Sequence, residues 1–312
     1  IPPVDYRVRE MLEHVGMTGE EELLSLEMRK RVLTSENAAA NAVMAGCLPE
    51  YFPVLVTTLR TLEEEKNFVH MASASTSSPS ILMIVNGPIR HKIGLNSRDG
   101  LFGPGWRANS SLGRAVRLCF MNGFDARPGT LDRGTLGNPT KYTFCIADNE
   151  EDSPWGPLHV SRGFKPEDSC VTVAVAYNPI TVNSRYGHTG ESVLYALADT
   201  MKSSCLCDRF PGQWVLVIGR EHALTLQQEG WSRRQVQEYL MEHAARPLSE
   251  MIQCGVALGP AKAGDDRVIR RCAKDPDDIL ITLGGGTGGR YSAVIDTTGY
   301  KIRTRKIEVP GG

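Results

Sequence analysis

The sequence predicts an α/β protein built on a mostly parallel sheet flanked by helices. Continuous apolar runs at 81–85 and 214–218 are typical of strands that are buried on both faces. Segments with apolar residues at helical spacing, such as 110–121 and 232–244, alternate with these runs. Both halves repeat the order helix, strand, helix, strand. This order fits two similar lobes from an ancient duplication, and it also fits an ordinary βαβ chain.

This pattern divides the chain into three predicted segments. Residues 7–33 carry apolar side chains at helical spacing among many charges, which predicts one or two amphipathic helices. Capping residues at 34–37 precede an Ala-rich helix, and Pro49 suits the first turn of the next helix. The predicted N-terminal helical segment, first α/β lobe and second α/β lobe cover 1–35, 36–166 and 167–312.

Composition excludes several classes of partner. The chain has 312 residues, with 35 Lys and Arg against 36 Asp and Glu, so it lacks the excess positive charge that nucleic-acid binding needs. No run approaches the ~20 apolar residues of a membrane span, and the first residues do not resemble a signal peptide. The eight cysteines fall far below the roughly 8–10% of disulfide scaffolds. We therefore expect a cytoplasmic protein with mostly reduced cysteines.

Two loops at the expected strand ends are candidates for substrate binding. In α/β folds, ligands bind where the carboxyl ends of strands meet helix N-termini. The helix near residue 110 would offer free N–H groups, with Asn109 or Ser110 as a natural N-cap and Arg107 just outside. The loop after 81–85 would add Asn86 and Arg90. The alternative is a well-made loop with solvated arginines.

Cys47 is the candidate nucleophile. It lies two residues before Pro49, near the start of a predicted helix, where the helix dipole lowers a thiol pKa. Glu50 would oppose this effect. The alternative is a small buried core residue, which is the more common fate of cysteine.

Residues 141–162 form a polar stretch around a predicted strand end. Glu150 and His159 are candidates for an acid/base pair if the loop folds back. Lys141, Tyr142 and Arg162 are candidates for substrate binding, and the alternative for this stretch is a solvated loop.

The glycine run at 284–289 formally matches G-x-G-x-x-G. A dinucleotide site needs a following helix and an acidic residue about 20 positions on, whereas a strand pattern follows here. We therefore reject a dinucleotide site. Gly285 and Gly286 with Arg290 can instead form an anion-binding nest, or the run is a plain hairpin turn.

His188 and His222 occupy loop positions at expected strand and helix ends, where a histidine either faces a ligand or is structural. Cys205 and Cys207 form an isolated C-x-C pair without a second pair at metal-ligand spacing. No metal centre is predicted.

Five phrases of the sequence resemble a bacterial family of largely uncharacterised proteins grouped with UGSC-motif, thioredoxin-like and selenoprotein-related proteins. These phrases lie at 36–51, 85–90, 102–109, 141–145 and 149–162. The resemblance covers roughly residues 34–300 and implies thiol or sulfur chemistry by association. A Sec/Cys-Gly-Ser-Cys motif is absent, which argues against a direct redox role.

The leading hypothesis is an enzyme that acts on a small polar or anionic metabolite at an inter-lobe site. Cys47 with Glu150 or His159 would supply lyase, hydrolase or thiol-dependent transfer chemistry. One alternative is a non-catalytic anion-binding protein or a subunit of a larger complex. Another is a thiol–disulfide redox partner that uses Cys205 and Cys207. No cofactor, nucleic acid or membrane is predicted as a partner, and a homo-oligomer is left open.

Overall fold

The computed structural model describes residues 1–204, 212–257, 259–297 and 300–308. The helices are α1 Asp5–Val15, α2 Ser35–Ala45, α3 Phe52–Glu63, α4 Lys66–Ala74, α5 Ile89–Lys92, α6 Arg107–Gly123, α7 Leu158–Ser161, α8 Gly190–Ser204, α9 Arg220–Gln228, α10 Arg233–His243 and α11 Leu248–Gln253. The strands are β1 Glu22–Leu26, β2 Arg31–Thr34, β3 Ser80–Asn86, β4 Cys145–Ala147, β5 Cys170–Ala176, β6 Ile180–Asn183, β7 Trp214–Ile218, β8 Ala245–Pro247, β9 Ile269–Arg271, β10 Ile279–Leu283, β11 Tyr291–Asp296 and β12 Arg303–Lys306. Single-turn 3-10 helices lie at Glu27–Arg29, Pro49–Tyr51, Pro139–Lys141, Glu150–Asp152 and Pro276–Asp278. Within these described ranges, every helix is too short or too polar to cross a membrane.

The N-terminal segment is helical only in its first half. α1 ends at Gly16, which adopts the left-handed conformation with φ of 67° that glycine favours. β1 and β2 then form an antiparallel hairpin, so the helix expected over 7–33 is wrong beyond α1. Leu24 and Leu26 are both buried, and their spacing of two is the period of a strand. With Leu23 also buried, this short leucine run satisfies helical and strand spacing equally well.

The helices that open the predicted first lobe begin where the sequence indicates. The Thr34 side chain accepts a hydrogen bond from the backbone N–H of Asn37 at 3.3 Å and caps α2. Pro49 starts the single-turn helix that leads into α3, where its missing N–H costs nothing.

The chain divides into two compact units, each discontinuous in sequence. Unit 1 comprises Ile1–Asp148, His159–Tyr177 and Lys301–Gly312, and unit 2 comprises Asn149–Leu158 and Asn178–Tyr300. The sequence prediction instead placed two continuous lobes on either side of 166/167. The difference arises because short segments after β4, β5 and β11 pass from one unit to the other.

Unit 1 contains a four-stranded mixed sheet in the order β4-β3-β5-β12. Met83 on the central strand β3 pairs with Cys145 of the parallel strand β4 and with Val173 of the antiparallel strand β5. β12 pairs antiparallel with β5 at the edge, with Arg305 opposite Val171.

Unit 2 contains a sheet of the same pattern, in the order β10-β7-β11-β6. β10 is parallel to the central strand β7, whereas β11 is antiparallel to β7 and β6 is antiparallel to β11. The α/β class is confirmed, but the prediction of a mostly parallel sheet is wrong. Every residue of the antiparallel strand β5 is buried. A continuous apolar run therefore indicates a buried strand, but it does not indicate whether that strand is parallel or antiparallel to its neighbours.

Connectivity of the fourth strands is the same in both units. β6 follows β5 along the chain but pairs in the sheet of unit 2, and β12 follows β11 but pairs in the sheet of unit 1. Each sheet therefore takes its fourth strand from the segment that follows the third strand of the other sheet.

Each unit has its own apolar core. In unit 1, α2, α3 and α6 contribute fully buried side chains such as Phe52, Leu59 and Leu112. In unit 2, Leu197 of α8 and Leu240 of α10 pack in one cluster with residues of β7 and β10. Two independent cores give each sheet a rigid support for polar groups at its ends.

Candidate functional site

A pocket with an empty volume of about 410 Å³ opens in unit 1, at the amino-terminal edge of the parallel strands. Ser80 is the first residue of β3, and Lys141 lies just before β4. The lining residues are Ala72, Ser73, Pro79, Ser80, Ile81, Gly113, Val116, Arg117, Phe120, Thr140 and Lys141. The pocket therefore lies at the opposite edge of the strands from the loops that the sequence favoured.

Two local features place the polar side chains at this pocket. Gly113, in the middle of α6, has no room for a side chain, since a Cβ there would collide with Thr143 and with the backbone nitrogen of Phe144. α6 can therefore lie close to the segment that leads into β4. In that segment, Asn138 accepts a hydrogen bond from the N–H of Thr140 at 3.0 Å and caps the single-turn helix that carries Lys141.

Arg117 and Lys141 converge on one carboxylate oxygen. Arg117 Nη2 donates to Asp132 Oδ2 at 2.9 Å, and Lys141 Nζ donates to the same oxygen at 2.6 Å. The other oxygen of Asp132 accepts from the N–H of Gly134 at 3.1 Å. The side chains of Arg117, Asp132 and Lys141 are 13%, 5% and 10% exposed. The cluster therefore holds two positive charges against one negative charge in a largely desolvated environment.

Burial shifts the ionisation of both partners. Burial is the largest influence on the pKa of Lys141 and lowers it; Asp132 opposes this shift, Arg117 adds to it, and the net pKa is below the ordinary value. Burial is also the largest influence on Asp132 and would raise its pKa. The hydrogen bonds from Lys141 and Gly134, with the two cationic charges, outweigh burial and lower the pKa of Asp132. Asp132 is thus ionised at neutral pH, while Lys141 loses its proton more readily than a solvated lysine.

The arrangement leaves hydrogen-bond donors available at the pocket. Within the described part of the chain, Asp132 is the only acceptor for either Arg117 or Lys141, although a guanidinium has five N–H groups and an ammonium has three. The hydroxyls of Ser80 and Thr140 also line the pocket and bond to each other. Such a set suits an anionic group with further oxygen atoms.

The predicted strand-end residues serve the backbone of the loops. Asn86, Arg90 and Asn109 are at most 5% exposed. Asn86 donates to Asp148 at 2.8 Å, and Arg90 donates to the carbonyl of the same residue at 2.7 Å. Asn109 is an interior residue of α6, and its side chain bonds to backbone groups of other segments, so the prediction that it caps the helix is wrong. α6 begins earlier, at Arg107, which is exposed and donates to the Gly46 carbonyl at 3.0 Å.

Cys47 does not have the environment of a reactive thiol. It follows the C-terminal end of α2, and its backbone N–H bonds to the Ala42 carbonyl at 2.9 Å. Burial raises the pKa of Cys47 to about 12, although Arg107 acts in the opposite direction. The prediction of a lowered pKa is therefore wrong, because the thiol is desolvated and the nearest long helix presents its carbonyl end.

The other candidates of residues 141–162 differ in their exposure and in their hydrogen-bond partners. Tyr142 is 73% exposed, and Arg162 donates to the Ile302 carbonyl at 3.4 Å. His159 is fully buried in unit 1, with Nε2 3.0 Å from the Lys165 carbonyl, whereas Glu150 belongs to unit 2.

The glycine run connects two strands that are not neighbours. β10 and β11 lie on opposite sides of β7, so the hairpin-turn interpretation is wrong. Gly285 has a positive φ of 99°, and Gly285 and Gly286 are partly exposed. Arg290 donates to the Gly187 carbonyl and, at 2.9 Å, to the Thr225 hydroxyl. The guanidinium thus ties this loop to protein groups.

His222 and Ser292 form a buried polar pair in unit 2. His222 Nδ1 lies 2.7 Å from the Ser292 hydroxyl, which also accepts from the N–H of Gly219 at 3.0 Å. Burial and the charge of Arg290 lower the pKa of His222 to about 4, against smaller opposing effects of Ser184 and Glu221. The two side chains are 0% and 6% exposed, so we interpret the pair as structural.

Three further predictions concern single features. His188 is exposed in the loop before α8. Cys205 and Cys207 lie outside the described residues. Among the residues that the structure describes, no group of three or more His, Cys, Asp or Glu side chains is placed to hold a metal ion.

Sequence reasoning selected Lys141 as a candidate but not Arg117 or Asp132. Arg117 shares one face of α6 with Gly113, Val116 and Phe120, and an arginine on an otherwise apolar helical face is a signal that sequence reading can use. Asp132 lies in an irregular segment, and no spacing pattern connects it to either cation.

Comparison with known proteins gives no assignment. No protein-family model, no curated protein and no solved structure matches the chain.

Proposed function

We propose that unit 1 binds a small anionic metabolite in the pocket lined by Arg117 and Lys141, and that the protein is an enzyme acting on it. The observation that carries this proposal is the sharing of one Asp132 oxygen by both cations. A desolvated excess positive charge is costly, and an anionic ligand would neutralise it.

An enzyme is favoured over a non-catalytic binding protein by the state of Lys141. Lys141 is a primary amine that lines the pocket, and burial lowers its pKa, so it gives up its proton to act as a nucleophile more readily than a solvated lysine does. Chemistry at Cys47 is the weaker alternative, because its raised pKa disfavours the thiolate.

Calorimetric titration with inorganic phosphate and with oxalate tests the binding. We expect Arg117→Met to weaken the binding of oxalate by roughly tenfold or more, because a charge-assisted hydrogen bond is lost. Asp132→Asn removes the competing carboxylate and is expected to strengthen binding at low salt. Arg114→Met is the matched control, since Arg114 lies on α6 but does not line the pocket. Equal affinities for the wild-type protein and Arg117→Met, or no binding of either anion, would refute the proposal.

We also propose that the two units arose by duplication. In support, both sheets have the same order and strand directions, and both parallel edge strands follow a single-turn helix that starts with proline, Pro139 or Pro276. Sequence profiles built separately for 80–183 and 214–306 from related chains should match each other if this is correct.

A further inference from the structure

The position of Lys141 beside Arg117 narrows the kind of anion that the pocket accepts. Both nitrogens contact the same oxygen of Asp132, at 2.6 and 2.9 Å, so the amine and the guanidinium are close neighbours. In a 2-oxo acid, the carbonyl carbon is bonded directly to the carboxylate carbon. An arginine that holds the carboxylate therefore brings the carbonyl carbon to a neighbouring amine.

We propose that the pocket takes a small 2-oxo acid and that Lys141 forms an imine with its carbonyl carbon. This inference rests on the proposed anion binding. Arg117 is the residue that would hold the carboxylate, and Asp132 is the base beside the amine. The Ser80 and Thr140 side chains line the same pocket; the Thr140 hydroxyl donates to Asn138 Oδ1, so the Ser80 hydroxyl is the donor in its bond to Thr140.

The step balances without an oxidant or a reductant. Lys141 passes one proton to Asp132, and its neutral nitrogen adds to the carbonyl carbon while the C=O π bond breaks. The oxygen collects two protons, one returned by Asp132 and one from the attacking nitrogen, and leaves as water as the C=N bond forms. The ammonium and the ketone thus become a protonated imine and one water molecule, with the charge unchanged.

The ionisation of the cluster is consistent with this chemistry. Burial lowers the pKa of Lys141, which increases its neutral fraction at pH 7, although the Asp132 carboxylate 2.6 Å away acts in the opposite direction. A solvated lysine with a pKa of about 10.4 is almost entirely protonated at that pH.

Reductive trapping tests the imine. The whole protein is incubated at pH 7 with pyruvate and sodium cyanoborohydride, and the reduced adduct is assigned to individual lysines by peptide mass spectrometry. We expect Lys141 to carry roughly tenfold more adduct than exposed lysines such as Lys92, since Arg117 would hold the carboxylate of pyruvate beside the Lys141 amine. Acetone, which lacks the carboxylate, should give no such preference, and Arg117→Met should reduce trapping by pyruvate.

Two failures are distinguishable. If pyruvate labels all exposed lysines equally while oxalate still binds through Arg117, the imine is overturned and the anion pocket stands. If oxalate binding is absent as well, both proposals fail. Lys141→Arg keeps a positive charge in the pocket; it should abolish the adduct at position 141 and retain oxalate binding. Because wild-type labelling is itself decisive, the test does not depend on the folding of this variant.

Discussion

The two units have sheets of the same topology, and they place different charges at the corresponding corner of each sheet. In both units, a proline-initiated single-turn helix precedes the parallel edge strand, and an Asn138 or Asp275 side chain caps it. In unit 1 this turn ends with Lys141, which forms the ionic cluster with Arg117 and Asp132. In unit 2 it ends with Asp278, whose carboxylate accepts from Gln213 at 3.2 Å and from the backbone N–H of Asp275 at 3.1 Å.

This comparison distinguishes the features that the sheet itself requires, such as the capped turn, from those that a ligand would require, such as the paired cations. Capping the turn is common to both corners and can be explained by satisfaction of backbone N–H groups. Among the residues that the structure describes, two cations share one carboxylate oxygen at the unit 1 corner and not at the unit 2 corner, and no backbone requirement explains them. The fold therefore explains the shape of both corners, while the charge of the unit 1 corner calls for a separate reason, which the proposed anion supplies.

The strongest way to separate the two units is to remove β12. Truncation after Tyr300 deletes the edge strand that pairs with β5, together with the buried side chains of Ile302 and Ile307. We expect unit 1 to lose about 5 kcal/mol or more, from the burial of these two side chains and the lost strand pairing. Hydrogen exchange should accelerate in β3 and β5, while β7 and β10 of unit 2 remain protected.

The control for the truncation removes charge without removing the strand. Arg303→Gln breaks the ion pair with Glu65, which is partly exposed, and should cost less than about 1 kcal/mol. Equal loss of protection in both units after truncation would show that they do not behave as separate folding units.

A smaller effect is expected in unit 2, from the buried histidine. His222 has a pKa of about 4 in the folded protein, against about 6.5 in an unfolded chain. Between these values the unfolded state binds the proton and the folded state does not. Stability is therefore complete above about pH 6.5 and falls as the pH decreases toward 4, by at most about 3 kcal/mol. Urea unfolding of the wild-type protein and of His222→Gln across this range should show a shallower pH dependence for the variant.

His188→Gln provides the matched control, because His188 is exposed. Its pH dependence should follow that of the wild-type protein. If His222→Gln and the wild-type protein lose stability in parallel between pH 6.5 and 4, the neutral buried histidine is refuted.

The success of sequence reasoning depended on burial. The strand at 214–218 was predicted at its observed bounds because a fully buried strand is an uninterrupted apolar run. The edge strands β6 and β12 were missed, since β12 consists of three basic residues and a threonine and β6 has one buried side chain. Edge strands are commonly polar, so they leave no apolar signal.

The candidate site could be predicted only in part from the sequence, for a related reason. Lys141 stood out in a polar stretch, but its relation to Arg117 and Asp132 comes from tertiary packing of α6 against the segment before β4. The general rule on strand ends directed attention to the carboxyl edge, where Asn86, Arg90 and Asn109 stabilise the loops.

The smallest expected effect distinguishes a cysteine of each unit. Burial raises the pKa of Cys47 in unit 1 to about 12, so the thiolate is scarce at pH 8, and the side chain is 6% exposed. Cys254 in unit 2 is exposed, with Arg246 Nη2 3.4 Å from its sulfur. Iodoacetamide at pH 8, with mass-spectrometric assignment, should modify Cys254 in the native protein and Cys47 only after unfolding.

Native labelling of Cys47 at a rate similar to that of Cys254 would restore it as a candidate nucleophile, and Cys47→Ala would then have to abolish activity. Without such labelling, the amine of Lys141 is the better candidate nucleophile in unit 1, since burial brings its pKa closer to neutrality and moves that of the thiol further away.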